Sequence, residues 1–251
     1  MTIRALLART EHRPWPLPGR AWLMFQRWHD LLFAHWPVPA AELRPLVPRE
    51  LELDTYAGSA WVGVVPFRMS GVRLHGTPPL PVLSAFPELN VRTYVRHGAR
   101  DGVWFFSLDA ASWPAVLGAR ASFHLPYFRA RMECAERDGE VHYRSERVPV
   151  HGRPAALLGR YAPLAPPAAP TPGTLEHFLT ARYCLFARAP SGQLLTADIH
   201  HLPWPLQAAR ARFEESTMAA AAGIALPDSE PLLHFARVLE VLVWAPRRVA
   251  G

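Results

Sequence analysis

Residues 86 to 95 read FPELNVRTYV. As a strand, with side chains alternating between two sides, they put Glu88, Asn90, Arg92 and Tyr94 on one face and Leu89, Val91, Thr93 and Val95 on the other. An acid, an amide, a guanidinium and a phenol in one row can bind a small polar molecule, the cation holding an anion and the acid moving a proton. The same row can instead close on itself as an internal Glu88–Arg92 ion pair that holds a sheet wall together. Both readings need that face to look into an enclosed space, because the polar side of an ordinary half-buried strand simply meets water.

Other residues could join this chemistry. Ser107 and Asp109, in FFSLD, share a strand face, and pairing across a hairpin is expected to bring them to the Arg92 row. Ser107 reads as a hydrogen-bonding strand residue, since no signature sets a histidine base beside it. In LTADIHHLPWP, Asp198 and His200 share a face and His201 points the other way. Nothing there has HExxH or CxxC spacing, so no metal is expected, and His200 is a candidate acid, base or donor facing the interior. Arg182, in FLTARYCLF, either anchors a carboxylate or bonds the backbone, with Tyr183 on the opposite face. Tyr127 and the tryptophans read as packing residues.

The elements that must position these residues are mostly strands. WLMFQRWHDLLFAHW (22–36) and GSAWVGVVPFRM (58–69) are rich in aromatic and branched residues. Between them AAELRPL is expected to make a helical turn or two. HGARDG and the DG pair at 138–139 are hairpin signals. The segments TLEHFLTARYCLFARA, QLLTADIHHLPWPL and PLLHFARVLEVLVWAP are expected to supply later strands, and the proline-rich run from Pro163 to Pro172 an extended surface crossing. Only QAARARFEESTMAAAAG (207–223) predicts a long helix, on its alanine content and a Gly223 cap. Many strands, few helices and heavy proline punctuation predict a mainly antiparallel sheet closed or nearly closed into a barrel.

Composition sets the outer limits. At 251 residues, half of them apolar and 19% charged, the chain is expected to form a single domain over 1–251 with a substantial core. The formal net charge is +6, yet all 27 basic residues are arginines scattered through strand-like segments, so no nucleic-acid partner is expected. Two cysteines, Cys134 and Cys184, without CxxC spacing fit a reducing cytoplasm. No stretch approaches the roughly 20 apolar residues of a membrane helix, and no cofactor is expected. Oligomer formation is left open. Without lysine, no side chain in this chain can form an imine.

Taken together, RPWPLP, AHWPV, LRPLVPRELELD, AWVGVVPF, FPELNVRTYV, WFFSLDA, LPYFRARM, FLTARYCLF and IHHLPWPLQ resemble the YqjF-like family of uncharacterised bacterial proteins, a domain of unknown function, over nearly the whole chain. That family is similar to acetoacetate decarboxylase. The resemblance therefore implies a mainly β (α+β) fold, an acetoacetate decarboxylase-like antiparallel β-barrel or cone with few helices and a chamber inside it. VPAAELRPLVPRELELD resembles the decarboxylase's short helix, VP pair and L-E-(I/L)-D strand. SWPAVLG (112–118) resembles its active-site stretch, aromatic-Pro-Lys-Lys-Leu-Gly, in which the first lysine forms the Schiff base and the second lowers its pKa by repulsion. Here Ala115 and Val116 stand at those positions, which excludes that mechanism. The decarboxylase's arginine would fall near His29, with Arg27 beside it, and its two glutamates have no clear counterpart. What the resemblance leaves is a chamber for a small polar or carboxylate-bearing molecule. Any chemistry in it is expected to be acid–base, with Glu88 or His200 moving protons and Arg92 holding an anion; the alternative is a noncatalytic binding or interaction module.

Overall fold

The computed structural model describes residues 1–79, 84–149 and 152–249. The strands, in chain order, are β1 (Met24–Val38), β2 (Glu52–Leu53), β3 (Ala60–Leu74), β4 (Phe86–His97), β5 (Arg100–Ala110), β6 (Tyr127–Arg137), β7 (Glu140–Arg147), β8 (Ala156–Pro163), β9 (Cys184–Arg188), β10 (Leu194–His200), β11 (Gln207–Ser216), β12 (Leu232–Val243) and β13 (Arg247–Arg248). The helices are short: α1 (Ile3–Leu7), α2 (Ala40–Leu43), α3 (Trp113–Phe123), α4 (Leu175–Thr180) and α5 (Met218–Ala221). The fold is mainly β, as the sequence predicts.

The strands pair as one sheet that forks and closes on itself. β5 pairs β4 along most of its length, β9 at Val103 and Trp104, and β6 at Leu108 to Ala110. β12 pairs β1, and then β11 near its start and β10 near its end. Two rings result. One runs β4–β5–β9–β10–β12–β1–β3, the other β5–β6–β7–β8–β11–β12–β1–β3–β4, and the strands β12, β1, β3, β4 and β5 form a wall common to both.

Strand alternation then fills two cores on opposite faces of that wall. Leu31, Phe33, Val65 and Phe67 enter the first, while Leu32, Ala34, Val64, Leu89 and Val91 enter the second. Because both faces are covered, the polar face of β4 is interior: Glu88, Asn90 and Arg92 are at most 8% exposed.

Four local features decide register. Asp30 adopts a left-handed backbone (φ +48°) at a bulge in β1, so Gln26 and Trp28 before it and Leu31 and Phe33 after it face the same ring. A second irregularity, between Val91 and Arg92 on β4 against Phe105 to Ser107 on β5, does the same for Phe105 and Leu108. The β4–β5 turn uses Gly98 (φ +56°), and Asp138–Gly139, both at positive φ, make the two-residue turn of the β6–β7 hairpin.

The predicted helix over 207–223 is corrected. Gln207–Ser216 is β11, with Ala209, Ala211 and Phe213 packed inward and Arg210 and Arg212 outward, and only Met218–Ala221 is helical. A period of two in AARARFE, together with pairing to β8, overrides alanine's helix propensity. The longest helix among the described residues is instead α3, whose apolar residues are spread around its circumference and so carry no 3.6-residue pattern to announce it. Leu175–Thr180, expected within a strand, is α4, whose N-cap Thr174 accepts from the His177 amide.

Candidate functional site

The first ring encloses a cavity of about 80 Å³. Its polar wall is β4: Glu88, Asn90 and Arg92 all line it, opposite Phe67, Val65 and Gly63 on β3. β1 contributes Gln26 and Trp28, β5 Phe105 and Leu108, and α3 with the chain that follows closes one end through Ala119, Phe123 and Tyr127. Otherwise the lining is aliphatic and aromatic.

Glu88 lies at the α3 end, accepting from the Tyr127 hydroxyl at 2.7 Å. Burial pushes its pKa up to about 8, and the nearby Asp109 charge adds to the rise, while the Tyr127 hydrogen bond opposes it. Glu88 is therefore mostly protonated at neutral pH. Burial and the Glu88 carboxyl together raise Tyr127 well above the usual phenol range.

Arg92 lies toward the other end and makes no ion pair with Glu88 or, among the described residues, with any carboxylate. One Nη donates to the Tyr94 hydroxyl at 3.3 Å and to the Leu179 carbonyl at 3.5 Å, and its Nε has no partner among the described residues. The guanidinium sits over the Phe33 and Tyr94 rings, 5.1 and 5.6 Å from their centroids. Tyr94 does not line the cavity; its hydroxyl lies 2.6 Å from His35 Nε2, so it supports Arg92 from behind. Burial, reinforced by the Arg92 charge, holds the His35 pKa well below its ordinary value and keeps the ring neutral. Gly63 provides the room for this cluster: a Cβ there would lie 3.0 Å from the His35 ring and 3.5 Å from Arg92 Cγ. Between Glu88 and Arg92, the Asn90 Oδ1 is buried without a partner among the described residues.

The remaining candidates lie elsewhere. Ser107 and Asp109 do not join the Arg92 row: β5 register pairs them with Val91 and Leu89, whose side chains enter the second core, and the Asn90 face receives Leu108. Asp109 is bound by Arg147 through two contacts of 2.8 and 2.6 Å, both residues fully buried. Arg182 is held by Asp54 at 2.6 Å and the Phe178 carbonyl at 2.7 Å. His200 faces away from the cavity, because Ala197 and Ile199 take the inward positions of β10. Its Nε2 lies 2.9 Å from the Leu6 carbonyl, under the N-terminal segment, and burial lowers its pKa. Arg27 pairs with Glu240 and His29 with Ser70, both lining an outer groove, since Gln26 and Trp28 hold the inward positions. Sequence reasoning missed Gln26, Trp28 and His35, hidden by the phase change at Asp30, and took Tyr127 for packing alone.

Ala115 and Val116 are on α3, Val116 fully buried in the first core and Ala115 lining a larger recess of about 770 Å³ beside the cavity. Among the described residues no group of three or more His, Cys, Asp or Glu side chains is placed to hold a metal, and no helix is long and apolar enough to cross a membrane.

The model of the DUF2071 family, described as an uncharacterized conserved protein, matches residues 25–240. The uncharacterized protein YqjF of Bacillus subtilis (strain 168) is 45% identical over 232 residues, 92% of this chain and 95% of its own. The chain belongs to the DUF2071 family. Family membership brings no assigned activity, since the relative is itself uncharacterized. In fold, this DUF2071 protein is similar to the acetoacetate decarboxylase of Legionella pneumophila subsp. pneumophila str. Philadelphia 1, with TM-score 0.60 at 14% identity over 93% of this chain and 92% of that one. It is also similar to the enduracididine biosynthesis enzyme MppR complexed with pyruvate, with TM-score 0.61 at 11% identity over 92% of each chain. At these identities the likeness establishes the acetoacetate decarboxylase-like fold for this chain and no more.

Proposed function

We propose that the inner cavity binds a small carboxylate-bearing organic molecule, with its carboxylate on Arg92 and its other polar atoms on Asn90 and Glu88. The observation that carries this reading is Arg92, a buried guanidinium without a carboxylate partner among the described residues. A buried cation is costly unless a counter-charge meets it, and an anion in the adjoining space supplies one. Asn90 Oδ1 accepts from a ligand hydroxyl or enol, and the protonated Glu88 carboxyl donates to a carbonyl oxygen. At about 10–15 Å³ per water-sized group, a cavity of about 80 Å³ takes about five to eight heavy atoms, the size of a short oxo or hydroxy acid. MppR, which shares the fold, was solved with pyruvate, so pyruvate is the first probe.

Imine chemistry is absent from this reading, because the chain has no lysine. Glu88 suits proton transfer to and from a carbonyl or its enol. Thermal unfolding with pyruvate tests binding: a ligand of the folded state alone raises Tm in a concentration-dependent way, and a flat response to pyruvate, lactate and acetoacetate alike contradicts the reading.

Binding without turnover is the second reading, favoured by the scarcity of titratable groups: among the described residues, Glu88, Arg92 and Tyr127 are the only ones lining the cavity. Proton NMR of pyruvate in D2O separates the two. Enolisation replaces methyl hydrogens by deuterium and erases the methyl signal in wild type, not in Glu88→Gln, whereas pure binding leaves the signal intact.

A further inference from the structure

The recess beside the cavity has a different character. It holds about 770 Å³, and Met24, Gln26, Met69, Ala119, Phe123 and Tyr127 line both spaces. Its walls are apolar in the main, with Leu23, Val72 and Leu74 from the β1 and β3 side and Pro114 from α3. Arg73, the cation on its rim, is drawn aside over the Phe25 ring, 4.1 Å from the centroid. The α3 side offers small residues, Ala115, Gly118, Ala119 and Ser122, at helical spacing toward the recess. They leave it open: a Cβ added at Gly118 meets nothing within 4 Å.

Two buried polar groups without partners among the described residues, Arg92 Nε and Asn90 Oδ1, lie on one side of the shared wall, and apolar volume lies on the other. We infer that the ligand is amphipathic: a carboxylic acid whose head sits on Arg92 and whose unbranched apolar tail passes between Met24 and Met69 into the recess along α3. This rests on the carboxylate reading above and adds the tail. Methionine side chains are unbranched and readily change rotamer, so the pair parts for a methylene chain without moving either strand. Such a tail explains why the mouth of a cavity with a cationic end is walled by hydrocarbon. Ala115, Gly118 and Ala119 then set tail length and bulk.

Isothermal titration of the full chain with butanoate and octanoate tests this. Each methylene moved from water into an apolar site strengthens binding about fourfold, so octanoate, with four more, is expected to bind about 250-fold more tightly than butanoate. Gly118→Phe and Ala115→Phe, each filling the recess, are expected to bring octanoate to within a few-fold of butanoate while butanoate affinity holds. Thermal unfolding confirms that each variant is folded, and either one suffices. Arg92→Met is expected to weaken both acids about ten- to 150-fold. Equal affinity for the two acids in wild type overturns the tail and leaves the carboxylate reading standing, whereas failure of both acids and of pyruvate to bind overturns both. An octanoate advantage that survives the two phenylalanine variants undiminished, or octanoate affinity left unchanged by Arg92→Met, places the ligand elsewhere and overturns the inference.

Discussion

Glu88 and Arg92 share one face of β4, four residues apart, and they do not pair: Glu88 bonds Tyr127 at one end of the cavity, and Arg92 meets Tyr94 and the Leu179 carbonyl at the other. Two opposite charges in one wall would neutralise each other. A carboxyl kept protonated and a guanidinium without a counter-charge among the described residues do not, and the space between them is where the proposed ligand would complete the electrostatics.

Removing the unpaired cation separates a site from a wall support. Arg92→Met relieves a buried charge, so its stability is expected within about 1 kcal/mol of wild type or above it, while carboxylate affinity falls about ten- to 150-fold with the loss of charged hydrogen bonds. Urea unfolding and titration with pyruvate read the two. A loss of several kcal/mol in stability would show that Arg92 holds the fold.

The contrasting case is in the second ring. Arg147 and Asp109 form a fully buried, doubly bonded pair. Arg147→Met leaves the Asp109 carboxylate buried alone and is expected to cost about 3–5 kcal/mol. A neutral result in urea unfolding would contradict the structural role assigned to this pair.

Glu88 gives stability a pH dependence of known sign. Its pKa rises from 4.5 to about 8 on folding, so between those values the folded chain holds a proton that the unfolded chain has released. Its contribution is whole below about pH 4.5 and is lost as pH rises through about 8. Glu88→Gln removes this titration. The Tm of wild type minus that of the variant is therefore expected to fall steadily from pH 5 to pH 9, and a difference that stays constant across that window excludes a protonated Glu88.

Much of this was legible in the sequence. The alternation of FPELNVRTYV placed Glu88, Asn90 and Arg92 on one face, and the absence of lysine removed imine chemistry before any fold was considered. Hairpins signalled by HGARDG and DG are where they were expected. What failed was phase. Period-two reasoning cannot see that Asp30 adopts a left-handed backbone, so His35 escapes it. Nor does the sequence alone give cross-strand register, which sent Ser107 and Asp109 to the second ring. Alanine propensity misled at β11 because pairing, not local preference, decides there. Tyr127 carried no signal beyond its aromatic ring, since its partner Glu88 is 39 residues away in the chain.

The central claim is that Arg92 receives a carboxylate inside the first ring. A crystal structure of the protein grown with pyruvate tests it most directly. The expected result is density in the cavity with a carboxylate oxygen about 2.7–2.9 Å from the Arg92 guanidinium. Pyruvate bound only outside the ring, or a cavity holding nothing but water at millimolar pyruvate, would contradict it.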